Sequence, residues 1–383
     1  VTAVYINDFS ILCALGRGQA VGDALASANP PTVAGHAALI GGRETVTGAL
    51  PPGALRIPPR GNSRTNDLVA ALIDDIRPGV EAVISTYGAT RVAFVLGTST
   101  TGIDEATKAL RTFKQQGALP HTYRFGQQEL GDPAAFGRIY SGALGPNYSV
   151  STACTSGAKA MAAAARMIRT GLADAAICGG ADTLCELTLN GFAALESISP
   201  KVCNPFSANR NGINIGEGGA LFILSKEPGP HRLEAWGESS DAHHASAPDP
   251  TGAGAELAVG KALAMSGAAP DFVHAHGTAT RLNDAMEAGL VSRLFGLAMP
   301  TASTKPMTGH TLGAAGAVQA ALSLLAMQRQ VLPPQLWDGA RDPELPEIRL
   351  PPPGEKPDRR MNRVLSLSFA FGGNNIALML AGE

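Results

Sequence analysis

Residues 147–180 decide the fold: Asn147-Tyr-Ser-Val-Ser-Thr-Ala-Cys154-Thr-Ser-Gly157, an alanine-rich run to Thr170-Gly171, then Asp174-Ala-Ala-Ile-Cys-Gly-Gly180. Residues 147–153 alternate as a half-buried strand does. Residues 155–170 carry no proline, are rich in alanine and stop at Gly171, which predicts a helix with a glycine C-cap. Residues 174–180 read as the next, fully buried strand. Strand, small-residue turn, helix and strand in that order make an α/β unit.

The same order recurs on both sides. Residues 91–97 predict a strand that runs into the loop 98–102. Residues 271–275 predict another, and 300–305 a further one, followed by a glycine-rich turn, a helix over 313–329 and a short strand over 330–334. A proline-rich loop at 351–357 precedes the last predicted strand, 364–369. The repetition suggests two similar α/β halves from a weak internal duplication, with little sequence identity between them. Glu227-Pro-Gly-Pro230 is the natural break, giving halves 1–226 and 227–383.

Composition excludes several classes. The chain has 383 residues, 45% hydrophobic and 16% charged, which suits a large buried core. The net charge of −2 leaves no basic footprint for nucleic acid. Five cysteines at 13, 154, 178, 185 and 203 show no regular spacing, so a disulfide framework is not expected and a reducing cytoplasm is. Asp8 and Arg17 interrupt the opening apolar stretch, which argues against a secretory leader. The longest apolar run, near 314–327, is too short to span a bilayer.

Cys154 sits where a strand enters and a helix of small residues leaves. A helix N-terminus offers unpaired N–H groups and a favourable dipole, so a thiolate is expected there. A thiolate attacks thioesters. The other four cysteines read as buried structural thiols. His276, in His274-Ala-His-Gly-Thr-Ala-Thr280, and His310, in Ser303-Thr-Lys-Pro-Met-Thr-Gly-His310, occupy junctions of the same kind. Two histidines can donate hydrogen bonds to a carbonyl oxygen that gains charge. A zinc site built from His274 and His276 with Cys154 or His310 is the competing reading, weakened by the lack of a second ligand pair. The adjacent His243 and His244 receive no ligand role. Lys305, in an apolar run, needs a partner if buried, and Glu287 is the expected one. Asp284 and Glu217 are further candidate supports, Glu217 with structural and catalytic readings equally open.

In combination, these motifs resemble the β-ketoacyl-acyl-carrier-protein synthases, in the ketosynthase I/II-like group of the thiolase superfamily. The residues that carry the resemblance are Thr152-Ala-Cys154-Thr-Ser-Gly, Ala275-His276-Gly-Thr, Ser303-Thr-Lys305-Pro-Met-Thr-Gly-His310, Ser368-Phe369-Ala-Phe371-Gly-Gly-Asn and Asn209-Arg-Asn-Gly-Ile-Asn-Ile-Gly-Glu217-Gly. The order Cys, His, His is similar to this group; ketoacyl synthase III enzymes carry Cys, His, Asn, and thiolases a second C-terminal Cys. The resemblance implies a thiolase-like fold, a five-layered αβαβα core of two halves. It implies decarboxylative condensation of an acyl group on Cys154 with malonyl-carrier protein, His276 and His310 assisting. Lys305 would hold the site through Glu287. The N–H groups of Cys154 and Phe371 would form an oxyanion hole, and Phe371 would act as a gate beside Phe369 and the Gly372-Gly373 turn.

Asn209 and Asn211 stand where the family usually has Asp, which implies a weaker ion pair for Arg210. His274 stands where Asn or Glu is commoner. No metal or organic cofactor is implied. The implied partners are acyl- and malonyl-loaded carrier protein, docking on basic residues among which Arg60, Arg64 and Lys201 are candidates, and a second subunit, identical or ketosynthase-like. A non-catalytic subunit resembling the chain-length factors is the alternative; such subunits lack the nucleophile. Fatty-acid, polyketide and polyene pathways are equally open.

Overall fold

The computed structural model describes residues 2–55 and 62–382. Ten strands form the spine of one large sheet. In chain order they are β1 (Tyr5–Cys13), β2 (Val92–Gly97), β3 (Asn147–Val150), β4 (Ala175–Asp182), β5 (Gly218–Ser225), β6 (His231–Ser240), β7 (Phe272–His274), β8 (Thr301–Ala302), β9 (Arg363–Phe369) and β10 (Asn374–Gly382). The spatial order is β8-β7-β9-β10-β6-β1-β5-β4-β2-β3.

That order is a repeat. In each set of five, the second strand runs parallel to the third and fourth, the fourth pairs antiparallel with the fifth, and the fifth antiparallel with the first. The sets meet at β1 and β6, antiparallel, through Tyr5 with Arg232 and Ile6 with His231. The duplication that is faint in sequence is therefore plain in topology.

Two helices lie between the sets: α1 (Ser156–Thr170) and α2 (Ala315–Arg329). They touch each other, and each packs on strands of both sets. α2 is buried from Ala315 to Met327, and α1 is buried over most of its length. Alanine and glycine make this possible. A Cβ on Gly157 would come within 3.1 Å of the Gly313 carbonyl oxygen, and one on Gly316 within 2.7 Å of the Ala158 Cβ. Other helices cover the outer faces, so the layers run α, β, α, β, α.

Some local expectations are corrected. The strand predicted over 300–305 is only Thr301–Ala302; Lys305 instead begins a one-turn helix, Lys305–Thr308, with Pro306 in its first turn, where a missing N–H costs nothing. Residues 330–334 form no strand. Gln330 adopts the left-handed conformation (φ 50°) that caps α2, and Pro333 and Pro334 lack ladder donors. β9 is not the last strand. Gly372 and Gly373, at φ 81° and 77°, turn the chain into β10. No helix among the described residues is long and apolar enough to cross a membrane.

Candidate active site

Cys154 lies two residues before α1, and the backbone there is strained. Ala153 is held at φ 51°, a left-handed conformation that costs an alanine roughly 1–3 kcal/mol. Side chains around the elbow hold it. Ser156 Oγ donates to the Ala153 carbonyl at 2.6 Å and accepts the Thr152 N–H at 2.9 Å; Thr155 Oγ1 donates to the Thr152 carbonyl at 2.7 Å. The result aims the sulfur into a cleft of about 360 Å³, away from α1's own core.

His310 reaches that sulfur from the other set. Its Nε2 is 2.9 Å from Cys154 Sγ. The segment 214–216 fixes the histidine backbone: the His310 N–H donates to the Asn214 carbonyl at 2.7 Å, and its carbonyl accepts the Gly216 N–H at 2.9 Å. His276 stands edge-on to His310, ring centres 5.3 Å apart, and edge-on to Phe369 at 6.1 Å. All three reactive groups line the same cleft, with Phe371, Phe192, Arg210 and Arg281.

Lys305 is buried, and its ammonium donates to the His276 carbonyl, with His276 Nδ1 at 3.4 Å. With Nδ1 facing a donor, Nδ1 is the acceptor and the proton sits on Nε2. Glu287 accepts the N–H of His276 and of Gly277, both at 2.6 Å. The expected Lys305–Glu287 pair is therefore not a direct contact. A peptide separates the two charges, because Glu287 is spent on the backbone amides. Asp284 accepts the N–H of Phe206 at 2.8 Å and of Ala279 at 3.2 Å, fixing the loop that follows His276.

Burial sets the protonation states. It pushes the Cys154 thiol up to about 11; the Lys305 charge and the N–H groups of Cys154 and Phe371 pull it back only in part. The free thiolate expected from the helix N-terminus is thus outweighed by desolvation. Burial, then the nearby Lys305 charge, drives His276 and His310 well below the usual histidine range. Both are neutral imidazoles, able to donate from one nitrogen. Burial likewise pushes Asp284 up to about 6.

The remaining candidates sit elsewhere. Glu217 does not line the cleft. It accepts the N–H of Leu50 at 3.0 Å and binds Arg64 through two nitrogens at 2.9 and 2.6 Å. Arg64 is therefore tied to Glu217 rather than free at the surface. Lys201 is exposed, and Arg60 lies outside the described residues. His274 is buried with both nitrogens occupied, Nδ1 at 2.9 Å from Ser323 Oγ and Nε2 at 3.0 Å from Thr304 Oγ1, so it offers no ligand. Cys154, His276 and His310 could approach one ion, their donor atoms lying within 4.8 Å of one another. Three donors beside a lysine ammonium make a poor cradle for a dication. All five cysteines are free and buried. Arg210 keeps a buried ion pair despite its asparagine neighbours, because Asp342 supplies the carboxylate at 2.5 Å. Sequence reading missed that pair, and also Asp182, Phe192 and Arg281.

Comparison with known proteins agrees with this geometry. The β-ketoacyl synthase N-terminal domain matches residues 27–228, and the β-ketoacyl synthase C-terminal domain matches residues 232–337. The chain belongs to the β-ketoacyl synthase family. Its fold is thiolase-like, as the resemblance implied. Among curated β-ketoacyl synthases, it is 37% identical to 3-oxoacyl-[acyl-carrier-protein] synthase 2 of Rhizobium meliloti over 62% of this chain and 61% of that protein. It is 36% identical to the mitochondrial 3-oxoacyl-[acyl-carrier-protein] synthase of Arabidopsis thaliana over 63% of this chain and 57% of that one. The matched part thus spans about three-fifths of the curated relatives' length. A solved complex of a ketosynthase with its chain length factor from Xenorhabdus doucetiae contains a chain 40% identical to this one, with TM-score 0.92, covering 100% of this chain and 98% of that chain. The ishigamide ketosynthase/chain length factor is 25% identical with TM-score 0.85, covering 100% and 99%.

Proposed function

We propose that this chain is an active ketosynthase that condenses an acyl group with malonyl-acyl-carrier protein. The observation that carries the reading is the 2.9 Å approach of His310 Nε2 to Cys154 Sγ, in a cleft shared with a neutral His276. Cys154 attacks the carrier thioester while its proton passes to His310; the acyl group moves to sulfur and the carrier thiol leaves with a proton. Malonyl thioester then binds. Its carbon–carboxylate bond breaks, carbon dioxide departs, and the electron pair moves into an enolate whose oxygen accepts a hydrogen bond from His276 Nε2–H, in the pocket that His276 shares with His310. The enolate carbon attacks the acyl carbonyl. The oxyanion so formed accepts from the N–H groups of Cys154 and Phe371, and carbon–sulfur cleavage releases a 3-oxoacyl chain two carbons longer and the Cys154 thiolate, which takes up a proton from solvent. Lys305, Glu287 and Asp284 act by holding His276 and its loop.

The halves 1–226 and 227–383 would carry the nucleophile and the two histidines, respectively. A subunit partner, identical or ketosynthase-like, would pair on β3, the edge strand of the sheet, whose Tyr148 is 40% exposed. Five free cysteines suit a reducing cytoplasm. The chain-length-factor alternative is disfavoured, because it has no use for a thiol set against a histidine. The test is intact mass after mixing with a panel of acyl-carrier proteins, Cys154→Ala alongside. Gain of one acyl group that vanishes in the variant supports the reading. No acylation of the folded protein by any donor defeats it.

A further inference from the structure

Asp182 ends β4, is fully buried, and takes no part in the chemistry described above. Every contact it makes is with a donor. Its Oδ1 accepts Thr98 Oγ1 at 2.8 Å, the Ser99 N–H at 2.8 Å, and the Thr100 N–H and Oγ1 both at 2.9 Å. Its Oδ2 accepts the Ala314 N–H at 3.2 Å. Burial pushes the Asp182 carboxyl up from the usual carboxylate range, and the donors gathered on Oδ1 pull it back by favouring the anion.

Those donors come from two places. Thr98, Ser99 and Thr100 belong to the loop leaving β2, in the half that carries Cys154. Ala314 belongs to the turn four residues beyond His310, in the other half. That turn is strained, since Leu312 sits at φ 50°. It is also pressed close: a Cβ on Gly313 would fall 2.7 Å from Asp182 Oδ2 and 2.6 Å from Ser99 Oγ, and one on Gly180 would fall 2.9 Å from the Ala314 Cα. The His310 turn therefore rests on the Asp182 carboxylate and on the backbone around it.

We infer that Asp182 is a positioning residue: its carboxylate ties the His310 turn to the loop beside Cys154 and so sets the sulfur–imidazole approach across the seam between the halves. The inference deepens the ketosynthase reading and rests on it for the kinetic arm of its test. It also has an electrostatic side. The Lys305 charge favours the Cys154 thiolate and the Asp182 charge opposes it. The neutral His276 and His310 share the cleft with Arg210, Arg281, Glu196 and Asp241.

Asp182→Asn tests this. The amide keeps one oxygen for the Thr98–Thr100 donors but sets an NH2 against the Ala314 N–H, which loosens the tie on the His310 side alone. Two readouts are taken. The first is the pH profile of iodoacetamide alkylation at Cys154, read by peptide mass, which needs no condensation activity. Loss of the anion is expected to move the thiol titration down by roughly half a pH unit or more. The second is steady-state condensation, in which kcat is expected to fall on the order of tenfold or more with KM within about twofold, as misplacement of one group does. A profile and a kcat that superpose on wild type overturn the inference. If Asp182→Asn does not fold, Gly313→Ala decides, because its methyl pushes the turn off the carboxylate. A folded Gly313→Ala protein is expected to show the same kcat loss and, with the carboxylate still ionised, little change in the thiol titration; an unchanged kcat overturns the inference. Should wild type itself fail to condense, the ketosynthase reading falls, while the alkylation profiles still judge Asp182.

Discussion

Lys305 and Glu287 grip opposite ends of one residue. The Lys305 ammonium donates to the His276 carbonyl, and Glu287 accepts the His276 N–H at 2.6 Å. The two charges stabilise each other through that peptide: burial pushes the lysine down and the glutamate up, and each opposes the other's shift. Removing one partner leaves the other buried and uncompensated. Lys305→Met is expected to cost about 3–5 kcal/mol in urea unfolding and to cut malonyl decarboxylation on the order of a hundredfold. A variant as stable and as active as wild type would show that the lysine is a bystander.

The two histidines should separate by step. His310 contacts the sulfur and His276 does not. His276→Ala is expected to keep acylation of Cys154, read by intact mass, within a few-fold of wild type, while decarboxylation of malonyl-carrier protein drops on the order of 10²–10³-fold. His310→Ala should slow both steps. Equal loss of acylation in the two variants would contradict this division.

The sulfur's reactivity should track pH steeply. A thiol pushed up to about 11 is almost wholly protonated at neutral pH. Its thiolate fraction rises about tenfold per pH unit below that value. Iodoacetamide inactivation is therefore expected to climb about tenfold per unit from pH 7 to 9, without the plateau near pH 9 of an exposed thiol. A flat profile across pH 6–8 would mean a standing thiolate–imidazolium pair with His310 instead.

Arg64 and Lys201 should part company under charge reversal. Arg64 neutralises the buried Glu217, so Arg64→Glu is expected to cost about 1–3 kcal/mol of stability, discounted for an arginine side chain 44% exposed. Lys201→Glu leaves the melt unchanged and is expected to raise KM for acyl-carrier protein at low salt. A stable Arg64→Glu protein with raised KM would place docking at Arg64 after all.

The chemistry was legible because each reactive residue stands at a strand end among glycines, a local pattern. Cys154, His276 and His310 all lie in the one cleft. The supports were harder to see. Arg210 finds Asp342, and Asp182 finds Ala314, each 132 positions away in sequence. No periodicity or spacing reports such a contact; only the packed chain does. A lysine in an apolar run needs a partner if buried, and Lys305 has one. Its direct contact proved to be a carbonyl, a group that every residue carries and that no sequence marks. The missing strand over 330–334 failed for a local reason: apolar residues favoured extension, but a helix cap and two prolines consumed the backbone.

The strand order has a consequence for synthesis. β1 pairs along its length with β5, Tyr5 opposite Ser225. At roughly 5–20 residues per second, a ribosome needs about 10 to 40 s to make the partner after the first strand has emerged. Through that interval β1 carries Ile6, Ile11 and Leu12, all buried in the finished protein, with the edge that β5 will cover still open. The nascent chain is thus exposed to aggregation at β1, and a holdase that binds short apolar strands would raise its yield.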